Sequence, residues 1–155
     1  MGKIRIAHDN APWMVNPVAG DQPGEGVGGM VGLVEARDED DVDAFVRIHH
    51  PGSNTELQLI ETRVRPNGEI AVHAHEVDEI MYVLSGELRL GARRLGPGCS
   101  VLISALTLYG IKAGPAGLTF LNFRASEDPS FLSRQDLQNR RVAGGRPPAG
   151  DEVTG

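Results

Sequence analysis

Two histidines and a glutamate fall within the stretch HAHEVDE, His73 to Glu79, in a chain of 155 residues that holds five histidines. Residues at i and i+2 of a strand project from one face, so His73 and His75 would bring their imidazoles to the same point. Glu79, opening the next strand after the turn EVD, would add a carboxylate from the adjoining edge. Two imidazoles and a carboxylate suit one divalent transition metal, whether Fe, Mn, Ni, Cu or Zn, and leave positions open for substrate, water or oxygen. The chemistry open to such a set is Lewis-acid catalysis with proton transfer, or oxygen activation at iron.

Strands have to hold these side chains, and the punctuation of the chain agrees. Its 20 glycines and 10 prolines cut it into segments of strand length. The strand-like segments are MVGLVEAR, DAFVRIHH, ELQLIETRVR, EIAVHAH, EIMYVLSG, ELRLGARRL, SVLIS, LYGIKAG and LTFLNFRA. In ELRLGARRL, Leu88 and Leu90 alternate with Glu87 and Arg89, the period-two signature of a strand with one buried face. Turns are expected at PNG (Pro66 to Gly68), LSGE (Leu84 to Glu87), GPGC (Gly96 to Cys99) and GPAG (Gly114 to Gly117). In DPSFLSRQDLQNRR the spacing of Phe131, Leu132 and Leu137 suggests a short amphipathic helix. The expected division is an N-terminal arm with a Gly-rich loop over 1–30, an all-β barrel or sandwich over 31–126, a short helix over 127–141 and a disordered tail over 142–155.

Composition narrows the partners. A net charge of -6 and basic runs no longer than Arg93-Arg94 or Arg140-Arg141 argue against nucleic acid and anionic membranes, leaving a small molecule as the expected partner. No apolar run approaches the roughly 18 residues of a membrane span, and MGKIRIAHDNAPW has no secretory core, so a cytoplasmic location is expected. The single cysteine, Cys99, has no partner for an internal disulfide and fits a reducing compartment.

The segment GEIAVHAHEVDEIMYVLSG resembles the first motif of the cupins, with Gly68, His73, His75, Glu79 and Gly86 at the matching positions. By residue frequencies the core of that pattern arises by chance in such a chain on the order of once in a thousand. The resemblance spans roughly Leu57 to Arg124 and implies a jelly-roll β-barrel with a metal site inside its mouth. The second motif departs from the family. In LGPGCSVLISALTLYG, Cys99 stands where an aspartate is usual, Ser104 where a proline is usual, and Tyr109 where a histidine would complete the metal site. This LYG form is similar to that of small cupins in which a strand like GPAGLTFLNFR follows.

Tyr109 has three readings: a ligand once deprotonated, a proton donor to substrate, or packing in the barrel mouth. With Tyr109 and Glu79 as the catalytic candidates, the resemblance implies a metal-dependent enzyme acting on a small oxygenated or carbonyl compound, of lyase, isomerase or cyclase type. The alternatives are an Fe(II) dioxygenase and a non-catalytic small-molecule-binding or sensory cupin. The resemblance also implies a homodimer formed by exchange of N-terminal strands.

Strand parity supplies the substrate candidates. If Glu79 faces the site, Met81 and Val83 share its face, while Ile80, Tyr82 and Leu84 face away. In the last strand either Phe120, Asn122 and Arg124 or Leu121 and Phe123 look inward, and parity alone leaves both open. Met81, Phe120, Asn122 and Arg124 are the candidate substrate contacts, Arg124 as an anchor for an anion or else an outward salt-bridged residue. His49 and His50 point to opposite faces and are expected at the surface, His8 in the solvated arm, and Cys99 as a small buried hydrophobe.

Overall fold

The computed structural model describes residues 4–7, 10–15, 33–37, 42–128 and 130–144. The Gly-rich run, His8 and the tail from 145 lie outside these residues. In chain order the described strands are β1 (Met14–Val15), β2 (Val34–Glu35), β3 (Ala44–His50), β4 (Gln58–Val64), β5 (Glu69–His73), β6 (Glu79–Leu90), β7 (Arg93–Leu95), β8 (Ser100–Ile103) and β9 (Tyr109–Arg124), followed by helix α1 (Arg134–Gly144). Every pairing is antiparallel, in the order β2-β1-β3-β4-β9-β6-β7, with β5 added to β9 and β8 to β6.

Burial follows the alternation in the sequence. Gln58, Ile60, Thr62 and Val64 of β4 and Glu79, Met81 and Val83 of β6 turn inward, whereas Ile80, Tyr82 and Leu84 face out. On β9 the choice left open by parity falls to Phe120, Asn122 and Arg124, which are buried. Val64, Met81, Val83, Leu88, Tyr109, Ile111, Leu118 and Phe120 belong to one apolar cluster. A polar group at the end of this cluster, on the sheet formed by β4, β9 and β6, is therefore screened from water on the core side.

The turns at Asn67 and Gly98 are present: Gly68 N–H donates to Arg65 O at 2.9 Å and Cys99 N–H to Gly96 O at 3.1 Å. The expected turns LSGE and GPAG are not turns. Both lie inside long strands, where Gly86 and Gly117 meet side by side with φ of 77° and 82°. A Cβ at Gly86 would stand 2.1 Å from Gly117 O, so this crossing of β6 and β9 requires a residue without one. A turn between strands and a bend within a paired strand make the same demand for glycine, which is why composition could not separate them. Conversely, ELRLGARRL is two strands, divided at Gly91 and Ala92, where Gly91 has φ 57°.

The helix begins later than expected and extends beyond 141. Ser133 and Asp136 cap it reciprocally: Asp136 N–H donates to Ser133 Oγ at 3.1 Å and Ser133 N–H to Asp136 Oδ2 at 2.7 Å. Phe131 and Leu132 precede the helix in an extended segment. Leu132 exchanges backbone hydrogen bonds with Ala74 at 2.8 and 2.9 Å, tying the segment to the end of β5.

Candidate active site

His73 closes β5, and His75 lies just beyond it, after the bridge at Ala74. The strand therefore does not run through both histidines, yet their rings still converge, with centroids 4.9 Å apart and planes at 85°. Glu79 opens β6, and Tyr109 opens β9 opposite His73 in the β5–β9 register. Arg124 ends β9, flanked by Gln58 of β4 on one side and Glu79 of β6 on the other. All these side chains are buried, Glu79 at 1 % exposure.

The Glu79 carboxylate accepts from three side chains. Tyr109 Oη–H donates to Oε1, Asn122 Nδ2 to Oε2 at 2.8 Å, and Arg124 to Oε2 through Nε at 3.2 Å and Nη2 at 3.0 Å. Burial pushes the Glu79 carboxyl up, but the Arg124 guanidinium together with the donated hydrogen bonds holds it below the usual carboxylate range. Tyr109 moves the opposite way. Burial first, then the Glu79 charge and its hydrogen bond, hold the phenol well above its ordinary range, so it remains a proton donor.

The histidines differ in what they have left to offer. His73 Nδ1 lies 2.7 Å from Ala71 O, which fixes the proton on that nitrogen and leaves Nε2 as a lone-pair acceptor. Its ring stacks on Phe131 at 4.1 Å with planes 8° apart. Burial pulls its pKa down to about 4, so His73 is neutral at pH 7. His75 Nε2 receives Arg124 Nη2–H at 2.9 Å. Since a guanidinium only donates, the His75 proton must sit on Nδ1, which faces Asp128 Oδ2 at 3.4 Å, an ion-pair distance outside hydrogen-bond geometry.

Arg124 also donates from Nη1 to Gln58 Oε1 at 3.1 Å and to the Asp128 carbonyl at 3.3 Å. A guanidinium has five N–H bonds, and here each has an acceptor. The expectation of an anion anchor meets an inward arginine with no donor to spare. Met81 and Phe120, two further substrate candidates, pack in the apolar core. Asn122 does border the site, and its Oδ1 is buried without a partner.

These residues do not fit a metal ion as they stand. His75 Nε2 and both Glu79 oxygens already accept hydrogen bonds, and a divalent ion about 4 Å from the guanidinium would be repelled by roughly 8 kcal/mol at an effective dielectric near 20. Among the described residues no group of three or more His, Cys, Asp or Glu side chains is arranged to hold a metal.

Other sequence candidates lie apart from this group. His49 and His50 are half-buried on β3 rather than fully exposed, and His49 pairs with Glu61 Oε2 at 3.0 Å. Cys99 is half-buried in its turn. Three participants had no signal of function in the sequence. Gln58 reads as one residue of an alternating strand, Asp128 as turn chemistry and Phe131 as a helix apolar position. An open cleft of about 710 Å3 runs beside β8 and β9, with Val72, Val101, Ile103, Thr107, Tyr109 and Arg134 in its wall.

Three solved structures are similar to this chain. The polyketide cyclase RemF from Streptomyces resistomycificus is 27% identical, covers 59% of this chain and 71% of its own, and has a TM-score of 0.53. An RmlC-like cupin protein from Ralstonia eutropha is 16% identical over 69% of this chain and 80% of its own, with a TM-score of 0.50. The chain has the cupin fold. This cupin fold also matches oxalate decarboxylase from Bacillus subtilis, at 15% identity over 70% of this chain with a TM-score of 0.54, spanning 34% of that longer chain. No protein-family model matches the chain, and no curated protein does. No described helix of this cupin fold is long and apolar enough to cross a membrane.

Proposed function

We propose that the chain is a small cupin enzyme that moves protons on a small oxygenated or carbonyl compound, with an outcome of cyclase, isomerase or lyase type. The observation that carries this reading is the buried hydrogen bond from Tyr109 Oη–H to an ionised Glu79. In the proposed step an enol or hydroxyl O–H of the substrate gives its proton to Tyr109 Oη while Tyr109 passes its own to Glu79 Oε1. The phenol never has to persist as phenolate, in keeping with a pKa far above the ordinary value. Return of the proton to another atom of the substrate completes an isomerisation or a ring closure.

The His75 Nδ1–H donor faces the Asp128 carboxylate, and the other groups of the site still without a hydrogen-bond partner are acceptors: His73 Nε2 and Asn122 Oδ1. They favour a substrate that donates hydrogen bonds, an enol or a phenol, over a carboxylate. The similarity to a polyketide cyclase agrees with a compound rich in carbonyl and enol groups. The metal-dependent form of this chemistry, and the Fe(II) dioxygenase alternative, both require Arg124 to release His75 and Glu79.

Proton exchange at the central carbon of a 1,3-diketone such as acetylacetone, followed by NMR in D2O, tests the reading. Wild type should accelerate exchange, and Tyr109→Phe should lower the enzymatic rate by about a hundredfold or more. Full exchange in a folded Tyr109→Phe variant removes Tyr109 from the mechanism. The competing reading, a barrel that only binds its ligand, has the spent donors of Arg124 in its favour. It predicts saturable binding of the diketone with exchange at the solution rate.

A further inference from the structure

We infer that the Arg124 guanidinium is itself the cation of this site, standing where the arrangement of His73, His75 and Glu79 would hold a metal ion, so that the site assembles without one. Arg124 takes the atoms that a metal would need, the Nε2 lone pair of His75 and the carboxylate of Glu79. Strand register sets where its side chain starts, and hydrogen bonds from Nε, Nη1 and Nη2 hold the guanidinium at its end. The β4–β9 register sets Gln58 beside it and the β6–β9 register sets Glu79 beside it. On the side away from Glu79, Gln58 Oε1 and the Asp128 carbonyl hold Nη1, so withdrawing the guanidinium would strand buried acceptors on four residues, Gln58, His75, Glu79 and Asp128.

The chemistry of the neighbours agrees. One guanidinium balances the Glu79 charge and fixes the His75 tautomer, the two tasks a bound cation would otherwise perform. Arg124 is therefore a positioning residue. It orients Glu79 toward Tyr109, and with every donor used it has no bond left for a substrate. This holds whichever reaction the barrel performs, and it also makes a prediction in the absence of any substrate.

Cobalt(II) titration gives a readout independent of turnover, because a tetrahedral or five-coordinate site shows intense visible absorption. Wild type, purified without chelator, should contain no stoichiometric transition metal, take up no Co(II), and keep its Tm in EDTA. Arg124→Ala and Arg124→Met, checked for folding by circular dichroism, should gain about one equivalent of Co(II), lost again on adding His75→Ala. Arg124→Lys, which keeps a charge in place, should remain metal-free. One equivalent of metal held by wild type overturns the inference outright. A folded Arg124→Ala that binds no Co(II) also overturns it, since removal of the guanidinium should expose the ligands. If neither neutral variant folds, the wild-type titration and EDTA melt decide alone. The diketone exchange assay is separate, so failure here leaves the proton-transfer reading standing, and failure there leaves Arg124 as the cation.

Discussion

At the scale of the residue, the centre of the molecule is a charge balance. Glu79 is ionised because Arg124 and two neutral donors surround it, and Arg124 is tolerated in the interior because Glu79, His75, Gln58 and a carbonyl accept from it. Breaking one side of such a pair leaves the other charge buried without compensation. Glu79→Gln should therefore destabilise the protein by about 3–5 kcal/mol in urea unfolding, more than a surface carboxylate lost from a solvated pair. A loss below about 1 kcal/mol would mean that Arg124 reaches water in the variant. Tyr109 entered through the resemblance of its segment to the second cupin motif, but the grouping of His73, His75 and Glu79 was legible from spacing, because parity and strand order are local. The partner that joins them was not. Arg124 lies 45 residues from Glu79, and only the register between β6 and β9 brings the two together.

At the scale of the element, two long antiparallel strands position the site, and Gly86 and Gly117 meet where their pairing shifts register. Gly86→Ala would set a Cβ against the Gly117 carbonyl and force φ of 77° on a residue with a side chain. We expect a loss on the order of 3 kcal/mol or more, read as a lower urea midpoint. A neutral Gly86→Ala would show that the β6–β9 crossing relaxes freely. The sequence marked both glycines but as turns, since a local signal says that the backbone bends without saying whether a neighbouring strand lies against the bend.

At the scale of the whole molecule, the buried site should make the fold sensitive to acid. His73 has its folded pKa lowered to about 4 from an ordinary 6.5, so between these values the unfolded chain binds a proton that the native chain does not. The stabilisation is complete above about pH 6.5 and is lost as pH falls toward 4, by about 3 kcal/mol in all. Glu79, with its folded pKa below the ordinary carboxylate value, adds a loss in the same direction at still lower pH. Urea midpoints measured from pH 7 to pH 4 should fall, and His73→Asn should flatten the part of the decline above pH 4.5. An unchanged slope would place His73 in contact with solvent. We propose that the protein is a homodimer, and light scattering that reports one chain rather than two would end that proposal.

Local chemistry alone determined the all-β class, the alternation of buried and exposed faces, and the convergence of two histidines and a glutamate. Those properties depend on neighbours within a few residues, which the order of the chain specifies directly. Tertiary structure decided which face of β9 looks inward, that Gly86 and Gly117 meet inside strands, and that a guanidinium stands between His75 and Glu79. Each of these depends on the register between strands distant in sequence. A one-residue slip of β9 would point Arg124 at solvent and leave the same motif free to take a metal ion.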